Sequence, residues 1–107
     1  VAAIRRLSVH TLFLGVHGMS VRAGFTTPNL LEAETNRELV ASAQQLVVLA
    51  DHTKWGTIGI SSIADLEQAN AVVCDTGLAE EARAELEARV GELILVAPVP
   101  RREAVRR

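Results

Sequence analysis

Residues 46–56 read LVVLADHTKWG. Five residues, Leu46 to Ala50, are apolar without a break, and the chain then turns polar at Asp51, His52, Thr53 and Lys54 before reaching Trp55 and Gly56. A short continuous apolar run, as opposed to an alternating one, fits a strand covered on both faces, as in a parallel sheet. Its abrupt end places a carboxylate and an ammonium where that strand stops.

Three further runs have the same character: TLFLGV (11–16), AVVC (71–74) and LILVA (93–97). Two stretches between them carry helical signals. In TTPNLLEAE (26–34), Thr27 is a capping residue, Pro28 suits the first helical position, and Glu32 and Glu34 fall near the positive end of the dipole, with the helix continuing to about Ala43. In LAEEARAELEARVG (78–91), Ala82, Leu86 and Val90 recur at i, i+4 and i+8, Glu85 and Arg89 can pair, and Gly91 supplies the stop. VAAIRRL (1–7) is a weaker opening helix. The order strand, helix, strand, loop, strand, helix, strand predicts an α/β fold, a mostly parallel sheet with helices on both faces. The loop, 51–70, is the one long connection without a helical pattern, and TIGISSI inside it reads as a short strand.

Composition bounds the function. The 107 residues include three aromatics, Phe13, Phe25 and Trp55, so the core is aliphatic. The single cysteine, Cys74, sits in an apolar run and cannot form an internal disulfide, which predicts a reduced, cytoplasmic setting. No apolar stretch approaches the roughly 20 residues of a membrane span. Residues 1–100 hold seven basic and twelve acidic side chains, a net of −5, while RREAVRR (101–107) is basic. An acidic body is a poor partner for a phosphate backbone, so contact with DNA is expected only through a segment outside this chain.

In a parallel sheet ligands bind beyond the carboxyl ends of the strands. Those ends read GVHGMS, DHTKWG, DTGL and PVP. Asp51 and Lys54 are the leading pair: lysine is a compact cation suited to phosphate, and an aspartate accepts hydrogen bonds from sugar hydroxyls. The alternative is an Asp-led turn whose lysine faces water. His17, between Gly15 and Gly18, is a candidate ligand contact or acid–base group, or simply a hydrogen-bonded histidine. Thr26 and Thr27 precede a helix start, where free backbone N–H groups favour anions, or they merely cap it. Trp55 and Cys74 read best as core, and Asp75-Thr76-Gly77 as a turn capping the second helix. His10, His17 and His52 share no spacing that names a metal site, no cofactor is implied, and no phosphate-binding or dinucleotide glycine motif occurs.

Together FLGVHGMS, GFTTPNLLEAETNR, LVVLADHTKWG and VVCDTGL resemble, in order and spacing, the C-terminal sensor domain of DeoR-type bacterial transcriptional repressors. The resemblance implies a three-layer fold similar to ribose-5-phosphate isomerase A, and a phosphorylated sugar or related metabolite as effector. It also implies an N-terminal helix-turn-helix, so that 1–107 is the C-terminal portion of a longer protein. The first half of the sensor would then lie outside the chain, leaving apolar surface to be covered and making a homo-oligomer the expected state. Asp51 and Lys54 fall on the family's Asp-x-x-Lys position, which helps hold the sugar phosphate in the related isomerases. The 15–18 loop corresponds to the one that carries catalytic aspartates in those enzymes. Here it reads Gly-Val-His-Gly without a carboxylate, which argues against catalysis. Glu34 lies in the helix that bears the isomerases' base, but GFTTPN replaces the preceding glycine run, so Glu34 is expected to be a ligand contact at most. The alternatives are an isomerase-like enzyme or an oligomerisation module without ligand.

Overall fold

A computed structural model describes residues 9–97. The expected opening helix (1–7), the fourth strand end (98–100) and the arginine-rich tail lie outside the described residues. In chain order the elements are β1 (Val9–Gly15), β2 (Gly18–Ser20), β3 (Gly24–Thr27), α1 (Leu30–Ser42), β4 (Ala43–Leu49), β5 (Ser61–Ala64), β6 (Ala71–Asp75), α2 (Glu80–Arg89) and β7 (Leu93–Val96). The four apolar runs form one parallel sheet in the order β1-β4-β6-β7. A second, antiparallel sheet in the order β2-β3-β5 was not legible in the sequence beyond its last strand.

The strand order advances in one direction. Right-handed crossovers that always step the same way lie on one face of a sheet, and burial follows that rule. Leu14, Leu46, Val48, Val72 and Cys74 point to one side and are buried. There they meet Met19 and Phe25 of the antiparallel sheet, Leu66 of a 3₁₀ turn, and Ala82 and Leu86 of α2, with Val40 of α1 packed alongside. On the opposite face Phe13 is 64% exposed and Leu49, Ile94 and Val96 are also exposed. The register aligns these residues in cross-strand rows: Phe13–Val47–Ala71, then Gly15–Leu49–Val73–Ile94, then Asp75–Val96. The two described helices supply the layer on the one buried face of the sheet.

Helix α1 starts later than expected. Thr27 is the last residue of β3, fully buried, and Asn29 takes the cap, its side chain accepting the Glu32 N–H at 2.9 Å. Asparagine caps as well as threonine does, and the strand pairing of Thr27 with Ser61 decides between them. Asp75 does not cap α2: Ala79 stands at the cap position without a side-chain bond, and acidic Glu80 and Glu81 occupy the first turn. Arg83 secures the entry instead, donating to the Leu78 and Thr76 carbonyls at 2.8 and 2.6 Å.

Candidate functional site

Because the four strands are parallel, the ends of β1, β4 and β6 open on one edge, and the polar residues found there fall into two clusters. The first is built on the turn after β4. Asp51 precedes a 3₁₀ turn (His52–Lys54) and accepts the Thr53 N–H at 2.8 Å and the Thr53 hydroxyl as well. Those two bonds, with Lys54 nearby, hold its carboxyl below the ordinary carboxylate range. Lys54 Nζ lies 3.9 Å from Asp51 Oδ2, and the lysine side chain is 35% exposed. That separation is an ion pair without a hydrogen bond, and the ammonium keeps donors free for another acceptor.

His52 and Asp75 complete this cluster. Burial works against ionisation of Asp75, but hydrogen bonds from the His52 backbone, the His52 ring and the Gly77 N–H outweigh it, and its carboxyl also sits low. Asp51, His52 and Asp75 offer donor atoms within 4.8 Å of one another, a combination that histidine spacing alone did not reveal. The Asp75 oxygens and one Asp51 oxygen already serve N–H and O–H donors, and Lys54 stands against the other Asp51 oxygen. The group is therefore spoken for by internal bonds, and we assign it no metal.

The second cluster surrounds the end of β1 and the end of β3. His17 Nε2 is 3.8 Å from Glu32 Oε1, and the Thr27 hydroxyl donates to the same oxygen at 3.1 Å. Thr26 and Thr27 are both buried, and Thr26 Oγ1 accepts the Gly59 N–H at 2.8 Å. A Cβ at Gly18 would lie 2.1 Å from the Thr57 carbonyl oxygen and 2.7 Å from Thr26 Oγ1, so only glycine admits this approach. Glu34 is exposed and belongs to neither cluster. Glu32, two residues earlier, holds the position facing His17 and Thr27, because residues two apart on a helix point to nearly opposite sides. In the sequence Glu32 marks only the positive end of the helix dipole; its approach to His17 depends on a β-hairpin without a clear sequence signal.

One segment joins the clusters. Trp55 bridges to Met19, the Gly56 N–H donates to the Met19 carbonyl at 2.8 Å, and residues 57–59 then run past Gly18 to Thr26. Trp55 is half-buried against the core, and Cys74 is 2% exposed with its thiol pushed up by burial, so both act as core residues. A shallow concavity lined by Ala79, Glu80, Glu81 and Ala84 on α2 shares no residue with either cluster, and its two glutamates disfavour an anion.

Comparison with known proteins identifies the fold's relatives. A family model described as the DeoR C terminal sensor domain matches residues 1–76. The HTH-type transcriptional regulator GlpR of Haloferax volcanii is 33% identical over 84 residues, covering 78% of this chain and 33% of that protein. The HTH-type transcriptional regulator GolR of Listeria innocua is 32% identical over 67% of this chain and 28% of its own length. IolR of Bacillus subtilis, also an HTH-type transcriptional regulator, is 25% identical over 75% of this chain and 32% of its own. The chain thus spans about a third of the length of the curated relatives it matches. Among the described residues no helix is long and apolar enough to cross a membrane. From the match over most of its length, the chain belongs to the DeoR C-terminal sensor domain family of transcriptional regulators.

Proposed function

We propose that this chain is the effector-sensing portion of a cytoplasmic DeoR-type repressor, and that it binds a phosphorylated sugar or related small metabolite. It acts as a switch and not as a catalyst. The observation that carries this reading is Lys54. The chain's sole lysine stands at the carboxyl edge of the parallel sheet, paired with Asp51 at 3.9 Å and with donors to spare. Lys54 supplies charge to a phosphate, and the Asp51 oxygen that faces Lys54 without a hydrogen bond accepts from a hydroxyl. His17, Gly18, Thr26 and Thr27 shape the neighbouring end of β1. Glu34 has no part in this arrangement, and Glu32 takes its place. Gly15 to Gly18 offer no carboxylate for proton transfer, which supports binding over isomerisation. DNA contact belongs to a helix-turn-helix in the part of the regulator outside residues 1–107. The relatives' names support that module, and such modules read two-fold sites as dimers.

The test is a thermal-shift screen of phosphorylated sugars, ribose 5-phosphate included, on the complete regulator and its Lys54→Ala variant. A ligand at about 100 times its Kd stabilises by ~2.7 kcal/mol. Loss of one charge-assisted contact, worth roughly 1.5–3 kcal/mol, weakens binding about 10- to 100-fold and removes from about half to most of the shift. An equal shift in wild type and Lys54→Ala would refute the proposal.

A further inference from the structure

Asp75 commits its carboxylate to the neighbouring strand end and not to its own helix. Oδ1 accepts the backbone N–H of His52 at 2.6 Å, while Oδ2 lies 2.8 Å from His52 Nδ1 and accepts the Gly77 N–H at 3.0 Å. One side chain thus ties the end of β6 to the first residue of the 3₁₀ turn that carries Lys54. The backbones of β4 and β6 stay paired as far as the Ala50 N–H on the Val73 carbonyl, at 3.0 Å. Beyond that bond the chains part, and the Asp75 carboxylate continues the connection.

Two features make the contact specific. With Nδ1 donating to Asp75, a neutral His52 ring carries its proton there and leaves Nε2 as an acceptor on a side chain that is 49% exposed. At Gly77 a Cβ would lie 2.7 Å from Asp75 Oδ2 and 2.8 Å from His52 Nδ1, inside the space where the two groups meet. At its other end the turn is pinned by Trp55 and Gly56 on Met19. Releasing the first pin leaves the turn that carries Lys54 untied between the Ala50–Val73 bond and Trp55.

We propose that Asp75 and His52, with Gly77 leaving room for their contact, are positioning residues that latch the 51–54 turn to β6 and set the direction in which Lys54 presents its charge. The role given to the turn rests on the effector-site reading above; the latch itself does not.

Amide exchange in the complete regulator, with inorganic phosphate as the anion probe, separates the two claims. In Asp75→Ala the His52 and Gly77 amides lose at least tenfold in protection, while Val48 and Val72 in the strands keep theirs. Gly77→Ala reproduces that pattern, and it carries the test if Asp75→Ala fails to fold. His52→Asn, whose amide nitrogen stands in for Nδ1, retains protection at Gly77 that His52→Ala loses. The phosphate concentration giving half of the wild-type gain in protection at the Lys54 amide rises about tenfold in Asp75→Ala. Unchanged protection at His52 and Gly77 overturns the latch. An open latch with unchanged phosphate affinity overturns its positioning role. Absence of any phosphate response in the wild type overturns the anion-site reading, while the exchange pattern still decides the latch.

Discussion

Thr26 offers a direct measure of how far the second cluster is architecture. Its side chain is 1% exposed, and Oγ1 accepts the Gly59 N–H at 2.8 Å, tying the long connection after β4 to the end of β3. Thr26→Val keeps the shape and removes the acceptor. An N–H left without a partner in a partly buried setting costs roughly 1–3 kcal/mol. The methyl that replaces the hydroxyl returns up to ~0.8 kcal/mol. The net loss is roughly 0.2–2 kcal/mol, and at roughly 4–8 °C per kcal/mol for a domain of this size the melting midpoint falls by about 1–16 °C. The assay is thermal and urea unfolding of Thr26→Val beside Thr26→Ser, with amide exchange read at Gly59. Serine also destabilises through its missing methyl, but it keeps the acceptor, so only valine exposes the Gly59 amide. A Thr26→Val protein that loses under about 0.5 kcal/mol and protects Gly59 as the wild type does would refute the assignment.

Two further outcomes are expected from the titrating groups. Asp51 and Asp75 both have folded-state values lowered from 3.8, so their contribution to stability is present above that value and disappears as the pH falls through the folded values. Urea midpoints should therefore decline between about pH 5 and pH 3, and less steeply in Asp75→Ala; equal slopes would contradict the role given to the carboxylate. The buried Cys74 thiol, raised above its ordinary 9.0, should resist alkylation at about pH 8 until denaturant is added. Rapid modification of the folded protein would place that thiol outside the core.

The parallel sheet was legible because buried strands leave short continuous apolar runs, and all four runs became its strands. The antiparallel sheet was not, because β2 is three residues long and β3 is Gly-Phe-Thr-Thr, too short and too mixed for a period of two to emerge. At the site, Asp51 and Lys54 stood out through their position after an apolar run. Asp75 looked like an ordinary cap, since nothing in local sequence shows that β4 and β6 end side by side. Glu34 stands out only through family likeness and Glu32 only as a partner of the helix dipole, whereas the path of the β2–β3 hairpin fixes which helix face meets His17.

The one-way advance of the parallel strands makes the stability of this sheet a quantity that can be set from elsewhere. None of the described crossovers reaches the rows that hold Phe13 and Leu49, so further burial of those rows depends on atoms outside residues 9–97. Each 100 Å² of apolar surface covered there adds roughly 2.5 kcal/mol before the cost of ordering the covering atoms. A free partner would contribute according to its concentration, and a tethered one according to its linker. Occupancy of that face and integrity of the strand ends are therefore linked equilibria: whatever raises one raises the other, by the same free energy in either direction.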